Sequence, residues 1–219
     1  MSETVATMTV DELVERAAAL AGRGGRAVLG ITGAPGAGKS TLAELIVERL
    51  GPEVSTFVPM DGFHFANDYL DATGLRARKG SPDTFDAWGY LSLIERIRRQ
   101  PDASRRGEDG VIFAPRYLRE LEESIGSHTP VTPDVPLVVT EGNYLLLDEG
   151  PWPRVRELLD ESWFLAPSEA VRIDRLIARH VRFGRSPEQA RERSLGNDQR
   201  NAELIGATAP RADLVVQLA

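Results

Sequence analysis

The sequence predicts an α/β fold in which an open parallel sheet is wrapped by helices. Short apolar segments alternate along the chain with segments whose apolar residues recur every three to four positions. These are the patterns of buried strands and of amphipathic helices. Because a parallel strand has to be reached by a long crossover, usually a helix, this alternation is typical of parallel sheets.

The elements follow one another in a regular order. A first helix is predicted over 9–21, where Thr9 and Glu12 match a capping box. Strands at 27–31 and 54–58 enclose a second helix, which Gly51 and Pro52 end. The later predicted elements are a helix over 87–99, strands over 111–113, 137–140 and 162–165, helices after Ser168 and from Ser186, and a strand over 214–216.

The loop after the first predicted strand matches the pattern G-x-x-x-x-G-K-[ST] in full, as Gly33-Ala34-Pro35-Gly36-Ala37-Gly38-Lys39-Ser40. Between a strand and a helix, this pattern indicates a phosphate-binding loop and a P-loop NTPase fold, whereas alone it is also compatible with a glycine-rich turn. Lys39 would reach the β- and γ-phosphates, and Ser40 would bind Mg²⁺. The residues expected to bind the nucleotide are Gly33, Ala34, Gly36, Ala37, Gly38, Lys39, Ser40 and Thr41.

Composition and charge narrow the classes of partner. The formal net charge of −7 argues against nucleic acid as a partner, because binding a phosphate backbone needs a basic surface. The absence of cysteine excludes disulfides and thiolate zinc sites. No apolar run approaches the roughly 20 residues that span a bilayer, and the N-terminus lacks the features of a signal peptide. We therefore expect a cytoplasmic protein that has no contact with a membrane.

Two carboxylates directly follow predicted strands, at the sheet edge where parallel sheets bind ligands. Glu141 follows 137–140, the place where P-loop enzymes put a magnesium-binding carboxylate. Asp61 follows 54–58 and is the candidate general base that accepts the proton of a substrate hydroxyl. The alternatives are an acid facing water for Glu141 and an ordinary Asp-Gly turn for Asp61.

Basic residues form three clusters. The arginines at 172, 175, 179 and 182 share a narrow arc of the helix after Ser168, so they form either a solvated face or a lid over the triphosphate. The clusters at 76–79 and 116–119 are either plain surface or the binding site of an anionic acceptor.

Four stretches in this order resemble the phosphoribulokinase/uridine kinase family, which includes bacterial pantothenate kinase. They are the loop 33–41, 61–64 (Asp-Gly-Phe-His), 81–86 (Ser-Pro-Asp-Thr-Phe-Asp) and 141–144 (Glu-Gly-Asn-Tyr). The pattern is similar to a bacterial subgroup described as nucleoside/nucleotide kinase-like or fructose-transport-system kinase-like. The resemblance implies one P-loop kinase domain over 1–219, with an acceptor-binding region at 60–130 and a lid at 168–195.

The resemblance also implies roles for single residues. Asp61 would be the base, Glu141 would serve Mg²⁺, and Arg175 would be a lid arginine on the phosphates. Arg119 stands where pantothenate kinases have a substrate-facing histidine, a difference that points to a more acidic acceptor than pantothenate.

The expected function is Mg²⁺-dependent transfer of the γ-phosphate of ATP to a hydroxyl of a sugar, sugar phosphate or nucleoside-type metabolite. Lys39, Asp61 and Arg175 are the expected catalytic residues. The residues expected to contact the acceptor are Asp61, His64, Lys79, Asp83, Tyr117, Arg119, Asn143 and Arg179. Pantothenate kinase-like or uridine kinase activity, a regulatory NTPase switch and a nucleotide-binding module without turnover are the alternatives. A homodimer is the protein assembly that we consider.

Overall fold

The structure is a computed structural model that describes residues 5–105, 107 and 110–219. Its strands are β1 (Ala6–Met8), β2 (Ala27–Gly33), β3 (Ser55–Phe57), β4 (Ile112–Leu118), β5 (Glu123–Val131), β6 (Leu137–Glu141), β7 (Glu161–Leu165) and β8 (Leu214–Leu218). Its α-helices are α1 (Val10–Ala21), α2 (Lys39–Leu50), α3 (Asn67–Ala72), α4 (Ala87–Arg105), α5 (Trp152–Glu157), α6 (Glu169–Arg182), α7 (Pro187–Leu195) and α8 (Asn197–Gly206).

Six strands form one parallel sheet in the order β1-β8-β7-β2-β6-β3, and β4 and β5 form a separate antiparallel hairpin. Strand β2 lies inside the sheet, pairs with β6 and β7, and is buried over its whole length. A strand that is buried on both faces needs helices on both sides of the sheet. The predicted α/β fold, an open parallel sheet wrapped by helices, is therefore confirmed.

Each face of the sheet carries one apolar cluster. Leu29 of β2 packs with Leu13 of α1 and Ile46 of α2 on one face. Its neighbour Val28 packs on the other face with Ile94 and other residues of α4. Successive side chains of a strand point to opposite faces, so the continuous apolar run that marked β2 supplies both clusters at once.

Most predicted elements are present, and the elements that were not predicted are β1, α3, β5, α5 and α8. Thr9 and Glu12 form the expected capping box of α1. The strand predicted over 111–113 is longer, because β4 continues to Leu118 through Pro115, where the pairing with β5 is irregular. Strand β5 itself is mostly polar and exposed, β1 has only three residues, and α8 follows α7 after the single residue Gly196.

The carboxyl ends of β2, β3 and β6 meet at one edge of the sheet, because these strands are parallel. The loop before α2, a 3₁₀ turn at Met60–Phe63 and Glu141 therefore converge there. The hairpin packs closely on the turn: a Cβ at Gly62 would lie 2.4 Å from the carbonyl oxygen of Pro115. The space between the turn and the hairpin is too small for a side chain, which shows that the hairpin lies directly over this edge of the sheet.

Candidate active site

The loop before α2 has the backbone of a phosphate-binding loop. Gly38 adopts φ 99° and precedes α2 directly, so backbone N–H groups at the start of the helix have no partner within the helix. The Nζ of Lys39 donates to the carbonyl oxygens of Gly33 at 2.9 Å and Ala34 at 3.3 Å. Burial lowers the pKa of Lys39 to about 8, against the opposing charges of Glu141 and Asp61. A buried ammonium that bonds only to carbonyl oxygens is well placed to exchange them for phosphate oxygens.

Helix α6 closes the outer side of this loop. Gly36 has φ 84°, and a Cβ there would lie 2.6 Å from the carbonyl oxygen of Arg172. The buried guanidinium of Arg172 donates to the carbonyl oxygen of Pro35 at 3.4 Å. The segment 168–195, made of α6 and α7, is thus in direct contact with the loop, and its role as a lid stays a prediction.

Glu141 lies at the end of β6 beside Ser40. The Ser40 hydroxyl lies near enough to the carboxylate of Glu141 to moderate the rise in its pKa, and Glu141 is buried with 4% of its surface exposed. Burial, with the nearby charge of Asp61, raises the pKa of Glu141 to about 7. The hydroxyl and the carboxylate are the hard oxygen ligands that Mg²⁺ prefers.

This pair fits a magnesium ion that arrives with a nucleotide. Mg²⁺ is usually held by one or two protein oxygens together with substrate phosphates and water. Within the described ranges of the chain, no group of three or more His, Asp or Glu side chains is placed to hold a metal ion without such help. Ser40 and Glu141 therefore suit an ion whose remaining ligands are phosphate oxygens.

Asp61 lies opposite Glu141, in the 3₁₀ turn that follows β3. Its Oδ2 is 3.4 Å from the Nη2 of Arg119 on the hairpin. Burial alone would raise the pKa of Asp61, but the charges of His64, Arg119, Lys39 and Arg179 outweigh burial and lower it. Burial in turn lowers the pKa of His64. Asp61 is thus held as a carboxylate.

A cavity of about 690 Å³ opens from these carboxylates and is bounded by the phosphate loop, the segment 61–85, the hairpin and helices α6 to α8. Seven of its lining residues are basic: Lys39, Arg76, Lys79, Arg119, Arg179, Arg185 and Arg193. Four are acidic: Asp61, Glu122, Glu141 and Asp198. A cationic cavity in a chain of net charge −7 indicates that its occupants are anions.

One wall of the cavity is aromatic. The ring of His64 lies against Phe85, with 4.0 Å between centroids, and against Tyr117, with 4.7 Å. The Nδ1 of His64 is 2.8 Å from the backbone oxygen of Asp61, which fixes the ring beside the base. Lys79 lies over the outer face of Tyr117, 5.2 Å from its centroid. Asn143 also lines the cavity, after β6.

The glycines and alanines of the phosphate loop do not line this cavity, and neither do three predicted site residues with side chains that could act on a ligand. Asp83 forms an ion pair with Arg78 at 3.0 Å. Thr41 is exposed in the first turn of α2. Arg175 donates to the carbonyl oxygen of Ala37 at 3.3 Å and lines a separate cavity of about 170 Å³ near the ends of β7 and β8. Arg179, one turn further along α6, is the arginine that faces the main cavity.

A further cavity of about 420 Å³ lies on the opposite side of Arg119 and Tyr117 and is shared by Ser40, Asp61 and Glu141. Arg116 lines it and forms an ion pair with Glu44 of α2 at 3.2 Å. The two carboxylates are therefore reached from both sides of the hairpin.

Several cavity residues come from helices α6 to α8 and were not predicted. His180 and Asp198 pair at 2.7 Å and join α6 to α8. Arg193 of α7 donates to the carbonyl oxygens of Ala77 at 3.1 Å and Lys79 at 2.9 Å. These residues are up to 116 positions apart from their partners, and no local pattern predicts such contacts.

Comparisons with known proteins agree on a kinase family. A sequence model of the phosphoribulokinase/uridine kinase family matches residues 28–219. "Putative uridine kinase C227.14" of Schizosaccharomyces pombe is 32% identical over 217 residues, which cover 94% of this chain and 89% of that protein. The uncharacterized protein YggC of Escherichia coli K12 is 34% identical over 198 residues, covering 88% and 78%.

Solved structures agree with the fold. The crystal structure of a "putative fructose transport system kinase" from Silicibacter sp. TM1040 superposes with a TM-score of 0.82 at 33% identity and covers 95% of this chain and 98% of that one. YFH7 from Saccharomyces cerevisiae, at 18% identity and a TM-score of 0.76, shares the fold and covers 97% and 99%. No helix in the described part of the chain is long and apolar enough to cross a membrane.

Proposed function

Because the chain belongs to the phosphoribulokinase/uridine kinase family and is a P-loop kinase, we propose that it transfers the γ-phosphate of ATP to a hydroxyl of a small sugar, sugar phosphate or nucleoside-type metabolite. One observation carries the proposal: Asp61 shares one open cationic cavity with Lys39, Ser40 and Glu141, and the charge of Lys39 acts on its carboxylate. A carboxylate at that point borders both the γ-phosphate and the space for an acceptor.

In this proposal Asp61 orients the acceptor hydroxyl and takes its proton. The acceptor oxygen forms a bond to the γ-phosphorus, the bond from that phosphorus to the bridging oxygen of ADP breaks, and the hydroxyl proton moves to a carboxylate oxygen of Asp61. Such transfers depend chiefly on positioning and on charge stabilisation, so a carboxylate with a lowered pKa is adequate. The hydrogen bond of His64 to the backbone oxygen of Asp61 supports its position.

The cations around Asp61 have separate tasks. Lys39 leaves the carbonyl oxygens of Gly33 and Ala34 to bind the β- and γ-phosphates. Arg179 faces the cavity, and burial together with the charge of Arg119 lowers its pKa, which indicates a crowded cationic site that an incoming anion would relieve. Mg²⁺ at Ser40 and Glu141 would neutralise charge on the same phosphates.

We place the nucleobase on the other side of the phosphate loop. The 170 Å³ cavity is bounded by Ala37 of the loop, Leu165 at the end of β7 and Val216 of β8, with Arg175 at its rim. A small, partly apolar slot beside the loop suits a planar base, and Arg175 is placed to stack on it. In this arrangement Arg175 serves nucleotide affinity, whereas Arg179 serves the transferred group.

We propose the acceptor as a chemical class, a small molecule with sugar-type hydroxyls. The relative named for uridine and the solved structure named for fructose transport both concern acceptors with sugar hydroxyls. Arg119 beside Asp61 places a cation where a pantothenate kinase has histidine, and it favours a more acidic acceptor than pantothenate.

The test is release of ADP from Mg·ATP in the presence of sugars, sugar phosphates, nucleosides and pantothenate. Asp61→Asn should lose about 10²- to 10⁴-fold in turnover with the best acceptor, the usual contribution of a positioned base, and should keep its affinity for ATP. Asp68→Asn, which alters an exposed carboxylate of α3, is the matched control and should be unchanged. Turnover of Asp61→Asn at the wild-type rate would remove Asp61 as the base. Hydrolysis of ATP that no acceptor accelerates would support the switch instead of the kinase.

A further inference from the structure

The end of the main cavity that is remote from the phosphate loop carries cations that the proposed transfer does not use. Arg76 and Lys79 come from the segment before Gly80, and Arg193 comes from α7. We call these three residues the distal cluster. Glu122 is the carboxylate that lines the cavity beside them. Glu123 does not line the cavity and accepts from the backbone N–H of Asn67 at 2.9 Å, but its charge also acts on Lys79. This end of the cavity is therefore left with a positive excess.

The distal cluster belongs to the acceptor side of the cavity. From Asp61, the path to it runs over the ring of His64 and then over the ring of Tyr117, whose outer face is covered by Lys79. None of the three cations belongs to the loop 33–41, where the phosphates would bind. A ligand that reaches the distal cluster while presenting a hydroxyl to Asp61 is therefore the acceptor, with its carbon skeleton on the aromatic wall.

The cations of the cluster are held in place and are only partly neutralised. Lys79 Nζ donates to two uncharged oxygens, Asn67 Oδ1 and the backbone oxygen of Glu122, both at 2.6 Å. Arg76 Nη2 is 3.4 Å from the carboxylate of Glu122, and its Nη1 is buried without an acceptor among the described residues. A buried donor without an acceptor is costly, and a ligand oxygen would remove that cost.

Arg193 fixes the geometry of the cluster. Its two donations, to the backbone oxygens of Ala77 and Lys79, tie α7 to the segment that carries the other two cations. The three positive groups are therefore brought to one place by backbone contacts. Arg76 also pairs with Glu122, whereas Lys79 and Arg193 donate to uncharged oxygens. Such an arrangement is typical of a preformed anion site.

We propose that the acceptor carries an anionic group, a phosphate monoester or a carboxylate, which binds at Arg76, Lys79 and Arg193 while its hydroxyl lies at Asp61. The inference rests on the proposed function and deepens it, since it turns the open choice of acceptor into a charged alcohol. A neutral sugar or nucleoside would leave the distal cluster without a counter-charge.

The experiment measures binding apart from turnover. The protein is saturated with Mg²⁺ and a non-hydrolysable ATP analogue, so that the phosphate loop is occupied, and is titrated by calorimetry with matched pairs of ligands. Each pair is a neutral sugar or polyol with its phosphate monoester, or with the corresponding sugar acid. At least one anionic member should bind about tenfold or more tightly than its neutral partner, as expected for hydrogen bonds between charged groups. The phosphate and carboxylate series together show which anion the site prefers.

Single substitutions locate the effect. Lys79→Gln and Arg76→Gln should each weaken the anionic ligand by about tenfold without changing the affinity for the ATP analogue, and Lys79→Arg, which keeps the charge, should restore most of the binding. Arg78→Gln is the control, because Arg78 lies between them in the chain and pairs with Asp83 outside the cavity. Melting temperatures near the wild-type value show that each variant is folded.

The outcomes separate the two proposals. Equal binding of neutral and anionic partners, equal loss in Arg78→Gln, or no binding of any anionic ligand at 10 mM (on the order of the weakest useful affinity) would overturn the anionic acceptor. If anionic ligands bind through Lys79 and Arg76 but no acceptor accelerates ADP release, the anion site stands and the proposed kinase reaction is the part that fails.

Discussion

Replacing Glu141 by glutamine should change the pH dependence of stability in a defined direction. Burial raises the pKa of Glu141 from 4.5 to about 7 in the folded chain without nucleotide or metal. Between these pH values the folded chain holds a proton that the unfolded chain has released, so the free energy of unfolding falls as the pH rises. Asp61, Lys39 and Arg119 face this carboxylate, and their charges contribute to the same value.

The magnitude follows from the two pKa values. One pKa unit corresponds to about 1.4 kcal/mol, so at pH 8 the ionised Glu141 costs the metal-free protein about 3 kcal/mol relative to a neutral side chain. Glutamine has nearly the same shape and stays neutral. The wild type and Glu141→Gln should therefore be similarly stable at pH 5, and the variant should be more stable at pH 8. For a domain of this size, the difference amounts to about 6–12 °C in melting temperature.

The assay is thermal or urea unfolding from pH 5 to pH 8 in EDTA, with Glu48→Gln, an exposed carboxylate of α2, as the control. Saturating Mg²⁺ and an ATP analogue should reverse the order at pH 8, because the wild type gains binding energy that the variant lacks. Profiles of wild type and Glu141→Gln that stay parallel across this range would refute the reasoning. An unchanged affinity for Mg²⁺ in the variant would remove Glu141 as a metal ligand.

Arg175 and Arg179 of α6, and Gly36 of the phosphate loop, give further predictions. Arg179→Gln should lower kcat by at least about tenfold with little change in nucleotide affinity, whereas Arg175→Gln should weaken nucleotide binding and leave kcat nearly unchanged; equal effects in steady-state kinetics and nucleotide titrations would contradict the assignment. Gly36→Ala should lose about 1–3 kcal/mol of stability together with most nucleotide affinity, because its Cβ would meet the backbone of Arg172. Gly51→Ala shares the positive φ of 80° but has open space around it, so a loss as large as that of Gly36→Ala would show that the contact with α6 is irrelevant.

The central strands could be predicted because a strand that is buried on both faces appears in the sequence as a short apolar run. Strands β2, β6 and β7 are apolar runs, buried over their whole length, and the helices between them follow the helical period. Strand β5 lacks such a mark because its residues are mostly exposed and polar, and β1 is too short to show a period. Their positions depend on pairing with β4 and β8, which no local pattern specifies.

The residues of the candidate site also divide into those that a local sequence pattern marks and those that it does not. Lys39, Ser40, Asp61 and Glu141 could be predicted because each occupies the end of a strand or the loop beyond it, and parallel strands bring such positions together. Arg175 and Arg179 were both named from the sequence, but which of them faces the cavity could not be predicted, because they lie on one face of α6, about one turn apart. Packing of α6 against the phosphate loop decides between them, and helical periodicity contains no information about that contact.

This division bears on what the names of relatives can supply, since one mentions uridine and another mentions fructose transport. The phosphate loop and the two carboxylates are built by the sheet, whose strand order fixes their mutual geometry. Under the proposed function, the wall that an acceptor would contact is formed by Tyr117 and Arg119 of the hairpin, by the segment around Lys79 and by α7, none of which pairs with the sheet. Substitutions there change charge and shape without disturbing the strands that hold Lys39 and Glu141. The acceptor of this protein must therefore be derived from its own distal cluster and from Arg119, and a relative's name does not supply it.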